Sequence, residues 1–189
     1  TLRQSIVLPN INLYDLDKEF FFKTFLECIE NKTKIISSTG FNSREIMYVR
    51  EKYDLRNGED FYMVGGMGHT SSVALGYSLS SKNKTVCIDG DGSLLMHSGS
   101  IKTAGTFATE NFKYILMNNS CHDSVGGQNT YASEINFEKL AKSIGFKNFY
   151  SIYKHEQLEK KIKCFLSQKT PGFMEVRINN SKIKELPRP

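Results

Sequence analysis

The chain has 189 residues, of which 39% are hydrophobic and 24% are charged, and its formal net charge is +5. This length is sufficient for one domain with a substantial core, and the apolar content is too high for an intrinsically disordered protein. No apolar run approaches the roughly 20 residues of a membrane-spanning helix, and residues 1–10 lack the basic start and apolar stretch of a signal peptide. No basic stripe with interleaved aromatic residues indicates nucleic-acid binding, so the mild positive charge fits an anionic small molecule equally well.

The hydrophobic pattern predicts helices and strands that alternate along the chain. The predicted helices are 15–31, 43–53, 69–81, 99–109, 137–144 and 155–168. The predicted strands are 34–38, 84–88, 112–117, 149–153 and 173–178. Asp15 is expected to cap the first helix, and the polar segments 54–63 and 120–132 are interpreted as loops.

This alternation is typical of βαβ units and predicts an α/β fold, with a mainly parallel twisted sheet and helices on both faces. We expect a single domain over residues 1–189. Ligands bind such sheets at the carboxyl ends of the strands, near a switch in strand order. Three Gly-rich or polar turns follow predicted strands, namely Thr39-Gly40, Gly90-Asp91-Gly92 and 118–127. These turns are therefore expected to gather at one edge of the sheet.

The scattered cysteines argue against two kinds of site. Without a CxxC pair, a zinc ribbon or an iron–sulfur site is not expected. No disulfide framework is indicated either, which favours a reducing cytoplasm. The four cysteines are Cys28, Cys87, Cys121 and Cys164. The chain begins at Thr1 instead of Met, as expected of an excised domain or a processed product.

The turn Gly90-Asp91-Gly92 combines two features that conflict unless a cation is present. A Gly-rich turn between a strand and a helix exposes backbone N–H groups and favours phosphate, whereas Asp91 repels an anion. Mg²⁺ resolves the conflict because it binds carboxylate, amide and phosphate oxygens together. Asn118-Asn119 follows after 25 residues, 93–117, enough for one helix and one strand that return the chain to the same edge. Either motif alone is more often an ordinary turn or strand end, but the pair predicts a metal site.

This pair of motifs resembles the thiamine-diphosphate fingerprint of the pyruvate-decarboxylase-like superfamily. The resemblance implies that Mg²⁺ is held by Asp91, by the side chain of Asn119 and by the backbone carbonyl of Cys121. The Gly90-Asp91-Gly92 turn itself, with Ser93 after it, would contact the cofactor's diphosphate. The turn Thr39-Gly40 matches another diphosphate-contacting position.

A second segment, Gly65-Gly66-Met67-Gly68, resembles the place where an apolar residue wedges beneath the bent cofactor. The resemblance implies that Met67 supports the aminopyrimidine ring and that the Gly65 carbonyl accepts a hydrogen bond from its amino group. In isolation this segment would more often be a Gly-rich turn with a core methionine. Its position just upstream of the metal motif favours the cofactor role.

Three further segments, 38–45, 66–69 and 122–128, resemble phosphonopyruvate decarboxylase and the β subunit of sulfopyruvate decarboxylase, within a match over about 35–178. The resemblance implies non-oxidative decarboxylation of a 2-oxo acid, with phosphonopyruvate giving phosphonoacetaldehyde and CO₂. Ser120 departs from the family, where Gly is frequent, and only a slight effect is expected. Sulfopyruvate remains the alternative substrate.

His122 and Asp123 follow the metal motif and are candidate catalytic residues. His122 is suited to acid–base work or to hydrogen bonding an anion, although a solvated loop histidine explains it about as well. Arg44 could approach the anionic end of the substrate, but the solvent face of a helix is the more ordinary place for an arginine.

The relatives also imply a partner. In them a Glu from a separate pyrimidine-binding domain activates the cofactor, and no segment here supplies that domain. The chain is therefore expected to be the diphosphate-binding half of a homo- or hetero-oligomer that takes a small anionic 2-oxo acid. A carboligase related to acetolactate synthase and a non-catalytic cofactor-binding or regulatory subunit are alternatives. Intact Asp91, Asn119 and Met67 argue against the non-catalytic subunit.

Overall fold

The computed structural model describes residues 14–180, 183 and 185–188, so the segment 1–10 discussed above lies outside the described residues. The helices are α1 Lys18–Cys28, α2 Phe41–Tyr53, α3 Thr70–Ser80, α4 Asp91–Met96, α5 Ser98–Phe107, α6 Phe137–Ile144 and α7 Leu158–Ser167. The strands are β1 Lys34–Ser37, β2 Glu59–Tyr62, β3 Thr85–Gly90, β4 Phe112–Asn118, β5 Cys121–His122, β6 Gln128–Asn129, β7 Asn148–Ile152 and β8 Gly172–Arg177. Two 3₁₀ turns, Asp123–Val125 and Ala132–Glu134, lie between β4 and α6.

Six strands form one sheet in the order β2-β1-β3-β4-β8-β7, and every neighbouring pair is parallel. The strands β5 and β6 form a small antiparallel ribbon beside it. This arrangement confirms the predicted α/β fold with a mainly parallel sheet.

Two hydrophobic cores lie on opposite faces of the sheet. Along β1, Ile35 belongs to one core and Ile36 to the other, because successive side chains of a strand point to opposite faces. The first core packs α1, α2 and α7 on the sheet, and the second packs α3, α4, α5 and α6. Helices therefore cover both faces, as predicted.

Two local predictions, the loop 54–63 and the cap Asp15, were wrong, and one short helix was not predicted. The supposed loop 54–63 contains β2, a polar edge strand whose residues alternate between exposed and half-buried. The predicted helix 99–109 is α5, and the separate short helix α4 precedes it, with the break at His97. The cap of α1 is Asp17, whose Oδ1 accepts a hydrogen bond of 2.8 Å from the Phe20 N–H, and Asp15 does not take that place.

The strand order shows where the sheet can form a ligand crevice. β1 and β3 are neighbours, yet the chain continues from β1 to β2 on one side and from β3 to β4 on the other. The turns after β1 and β3 therefore flank a switch in strand order, where a parallel sheet forms a ligand crevice. None of the helices in the described part of the chain is long and apolar enough to cross a membrane.

Candidate functional site

The carboxyl ends of β1, β3 and β4 bring most of the predicted site residues into one cleft. Those lining it are Thr39, Met67, Gly90, Asp91, Gly92, Ser93, Asn119, Cys121, His122 and Asp123. Gly40 packs against the wall of this cleft, since a Cβ at that position would lie 2.8 Å from Ser124 Oγ. Gly65 is exposed and does not line the cleft.

Oxygen atoms converge beside Asp91, which begins α4 and is 2% exposed. One atom of the Asn119 amide lies 3.2 Å from Asp91 Oδ1 and 3.0 Å from the Cys121 carbonyl oxygen. If this atom is the amide nitrogen, both contacts are hydrogen bonds. If it is the amide oxygen, three oxygen atoms face one another, and a cation is required between them. Octahedral Mg²⁺ places neighbouring ligand oxygens about 3 Å apart, so the three groups fit this ion.

The Asp91 carboxyl is held in a low-dielectric environment. Burial raises its pKa to about 6, and this shift is opposed by hydrogen bonds from the Thr130 hydroxyl and from backbone N–H groups, including that of Gly92. Among the described residues, no lysine or arginine forms an ion pair with Asp91. The carboxylate therefore has hydrogen-bond donors, and the charge of Lys18 acts on it only weakly, beyond ion-pair distance.

No group of three His, Cys, Asp or Glu side chains within the described ranges is placed to hold a metal. A metal at Asp91 would accordingly depend on amide, carbonyl and phosphate oxygens for its other ligands. Mg²⁺ accepts such a set, because it is bound in proteins through one or two carboxylates together with water and substrate phosphates.

The Gly-Asp-Gly turn leaves no space for a side chain at position 92. A Cβ on Gly92 would lie 2.4 Å from Nδ1 and Cε1 of His122, so the imidazole ring packs directly on this turn. A Cβ on Gly90 would lie 3.4 Å from Asn42 Nδ2, and Asn42 itself donates to Ser38 Oγ at 3.1 Å. Glycine at position 92 is thus required by the approach of His122.

The segment around Met67 is fixed by two glycines in the left-handed region, Gly66 at φ +67° and Gly68 at φ +88°. The Gly68 N–H donates to Ser93 Oγ at 2.9 Å, which ties this segment to the Gly-Asp-Gly turn. The Ser93 hydroxyl also interacts with the buried Asp89 carboxyl, so a contact between Ser93 and a bound anion would use its backbone N–H. Thr39 Oγ1 donates to the Val64 carbonyl at 3.3 Å and joins the β1 turn to the same segment.

Three residues near the site were missed by the sequence analysis: Lys18, Asn42 and Thr130. Lys18 is 5% exposed, and its Nζ lies 3.5 Å from Glu45 Oε1 and 3.7 Å from Asp123 Oδ2. A lysine in the first turn of a helix opposes the helix dipole, and this was the available signal that it has an ionic partner elsewhere.

Arg44 lies neither at the site nor on a solvent-facing helix surface. Its guanidinium donates to the carbonyl oxygens of Leu186 at 2.6 Å and Pro187 at 2.9 Å, and it stacks over the Phe41 ring at 5.4 Å. Both interpretations of Arg44 from the sequence were therefore wrong, because this residue holds the C-terminal segment against α2.

Comparisons with known proteins agree with this architecture. Residues 39–176 match the family described as "Thiamine pyrophosphate enzyme, C-terminal TPP binding domain". A thiamine diphosphate-dependent 4-hydroxybenzoylformate decarboxylase from Rhodococcus jostii RHA1 has a similar fold, with a TM-score of 0.72 and 18% sequence identity. The similarity covers 90% of this chain and 34% of that one.

Two curated relatives are each 33% identical to the chain. Phosphonopyruvate decarboxylase of Streptomyces viridochromogenes aligns over 155 residues, 82% of this chain and 38% of that protein. Sulfopyruvate decarboxylase subunit beta of Methanocaldococcus jannaschii aligns over 158 residues, 79% of this chain and 81% of that subunit. The chain thus spans less than half of the first relative and most of the second. It belongs to the thiamine pyrophosphate enzyme family, as a C-terminal cofactor-binding domain of that family.

Proposed function

We propose that this chain is the diphosphate- and Mg²⁺-binding half of a thiamine-diphosphate-dependent 2-oxo acid decarboxylase. The observation that carries this proposal is the convergence of Asp91, the Asn119 amide and the Cys121 carbonyl at ligand-to-ligand distances beside a Gly-rich turn. These three groups would hold the metal. The proposed cofactor contacts are Thr39, Gly40, Gly65, Met67, Gly90, Asp91, Gly92, Ser93 and Asn119.

When bound, thiamine diphosphate supplies the electron sink that allows CO₂ to leave a 2-oxo acid. The residues of the chain bind and orient. Backbone N–H groups of the Gly-Asp-Gly turn would meet phosphate oxygens, and Met67, which lines the cleft, would contact the aminopyrimidine ring of the cofactor. Because Nδ1 and Cε1 of His122 face Gly92, Nε2 is the nitrogen that would exchange a proton with the substrate. Asp123, paired with Lys18, would complete the substrate side.

We propose phosphonopyruvate as the substrate, on the strength of the segment 122–128. Sulfopyruvate is the second candidate and has support of equal weight, because the chain covers 81% of the sulfopyruvate decarboxylase β subunit at the same identity of 33%. Both substrates are 2-oxo acids that carry a second anionic group. Because the same 2-oxo acid group would be decarboxylated in each, the two activities would need the same cofactor site.

A pyrimidine-binding half is proposed to complete the site, either as another domain or as a partner subunit in a homo- or hetero-oligomer. The names of the β-subunit relatives support this proposal. A cytoplasmic location is proposed as well, since all four cysteines are free thiols, as in a reducing compartment.

The deciding experiment measures CO₂ release from phosphonopyruvate, sulfopyruvate and pyruvate by the full-length gene product. A clear preference for one of the first two substrates is expected, with dependence on Mg²⁺ and thiamine diphosphate. Isothermal titration with the cofactor, with and without Mg²⁺, separates the enzyme from a non-catalytic subunit. Absence of metal-dependent binding, even with the complementary domain present, would refute the proposal.

A further inference from the structure

Lys18 is a buried cation that lines the edge of the cleft and is not among the proposed metal ligands or cofactor contacts. It is the first residue of α1, where the positive end of the helix dipole disfavours a lysine, and it is nevertheless 5% exposed. Contacts with other elements of the fold must therefore stabilise Lys18 at this position.

Its surroundings join three elements. The Nζ atom lies 3.5 Å from Glu45 Oε1 of α2 and 3.7 Å from Asp123 Oδ2 of the 3₁₀ turn, and it is 5.9 Å from the centre of the Phe41 ring. Burial alone would lower the pKa of Lys18, but the carboxylates of Glu45 and Asp123 outweigh it and raise the pKa, with a smaller contribution from Asp91. The ammonium thus stays charged at any physiological pH.

The turn that carries Asp123 is held at two other points by close packing. Ser124 Oγ would lie 2.8 Å from a Cβ on Gly40, whose φ is +91°, and the His122 ring packs on Gly92. The ion pair with Lys18 adds a polar anchor between these two contacts. Direct capture of a substrate anion by Lys18 is disfavoured, because two carboxylates already flank its ammonium.

We propose that Lys18 is a positioning residue, which holds Asp123, and through it His122, where the two residues act on the substrate. This inference rests on the proposed decarboxylase function. The Lys18 partner of this ion pair is buried and Asp123 is only partly exposed, so water and salt screen the pair less than an exposed one. Without the ammonium the turn would relax, and a shift of about 1 Å near a reacting group can cost about 100-fold in rate.

The test uses the holoenzyme, reconstituted with Mg²⁺, thiamine diphosphate and the complementary domain. We expect Lys18→Met to lower kcat by about 10- to 100-fold and to change cofactor affinity less than about threefold. Lys18→Arg should recover most of the loss, because it keeps the charge. The matched control Lys23→Met, at a half-exposed lysine of the same helix, should behave as wild type.

A double-mutant cycle separates positioning from general stabilisation. Asp123→Asn should lower kcat, and Lys18→Met combined with Asp123→Asn should lose no more than the worse single variant. Because Lys18→Met removes the ammonium from beside the buried Glu45 carboxylate and can impair folding, the double variant Lys18→Met with Glu45→Gln is also needed. That pair should fold and keep the low kcat.

The inference is overturned if Lys18→Met keeps the wild-type kcat, if the effects of Lys18 and Asp123 are additive, or if the variant with Glu45→Gln regains full kcat. Loss of cofactor affinity equal to the loss of kcat would also overturn it, since that indicates a general defect. A wild-type holoenzyme that decarboxylates none of the three substrates would overturn the proposed function and this inference together. An active wild type beside an unaffected Lys18→Met would overturn the inference alone.

Discussion

The two ends of the central sheet each bury a charged side chain, but they satisfy that charge in different ways. At the amino end, Lys113 of β4 is 0% exposed. Its ammonium donates to the carbonyl oxygens of Glu110 at 2.7 Å, Gln168 at 2.9 Å and Thr170 at 2.8 Å. All three protons of the ammonium therefore have partners that the fold supplies.

At the carboxyl end, Asp91 is buried almost as deeply. Its carboxylate is an anion, and further oxygen atoms lie beside it. The Thr130 hydroxyl and backbone N–H groups donate to it, while the Asn119 amide and the Cys121 carbonyl lie within hydrogen-bonding distance of one another. This arrangement suits a bound cation better than it suits the chain alone.

Burial shifts the pKa of each group in the direction that favours its uncharged form. It lowers the pKa of Lys113 to about 8, with help from the charge of Lys84, and it raises the pKa of Asp91 to about 6. The comparison teaches that one end of the sheet uses a buried charge to connect the chain to itself. We propose that the other end keeps a buried charge available for a ligand, and variants at the two ends test this difference.

The largest expected effect is on ligand binding. Asp91→Ala should weaken Mg²⁺-dependent thiamine diphosphate binding by at least about 100-fold, since even indirect partners of metal ligands are worth 10- to 100-fold. Thermal stability without metal should be unchanged or higher, because a desolvated carboxyl is removed. Isothermal titration of the reconstituted enzyme measures the first effect. Wild-type affinity in this variant would show that the metal assignment is wrong, and Glu134→Ala, at an exposed acid, is the control.

The opposite response is expected at the amino end. Lys113→Met leaves three carbonyl oxygens without their donor and should lower the free energy of unfolding by about 2–3 kcal/mol. The folded fraction should keep its cofactor affinity, because the site lies at the other end of the sheet. Urea denaturation measures the loss, and Lys169→Met, at a nearby exposed lysine, should change stability by less than about 0.5 kcal/mol.

The pH dependence follows from the raised pKa of Asp91. Metal binding requires the carboxylate, so the apparent affinity for Mg²⁺ with cofactor should fall about tenfold for each pH unit below about 6. Without metal, the folded chain holds a proton between pH 3.8 and about 6 that the unfolded chain has lost. This group's contribution to the free energy of unfolding should therefore decrease as pH rises through that window.

Titrations on either side of pH 6 measure this dependence. An affinity that does not vary with pH there would contradict the assignment of Asp91 as a ligand. Thr130→Val removes a donor to the carboxylate and should move the fall in affinity to higher pH.

The smallest effect is expected at Ser120, which has a left-handed φ of +58°. Ser120→Gly should raise the free energy of unfolding by up to about 1 kcal/mol, because glycine adopts this conformation without a steric penalty. The affinity of this variant for thiamine diphosphate should not change. Asp54→Gly, at a left-handed position far from the site, should give a similar gain, and a large loss in either variant would contradict this explanation.

Much of the fold was predictable because its signals are local. Apolar runs and helical periodicity predicted the buried strands and most helices, and Asn118 ends β4 where the sequence placed a strand end. The edge strand β2 was missed because a polar four-residue strand has no such pattern and is formed by pairing with β1. The short helix α4 was missed because its six residues begin within the Gly-Asp-Gly turn and are too few to show a helical period.

The sequence by itself determined the chemistry offered at the strand ends. A Gly-Asp-Gly turn and an Asn-Asn pair, each after a strand, must share one edge of a parallel sheet. Only the tertiary structure decided which distant side chains surround them. Thr130 reaches Asp91 across 39 positions, and Lys18 reaches Asp123 from the first helix. Local pattern cannot show such contacts, because they depend on how α1, α2 and the loop after β4 pack together over the sheet.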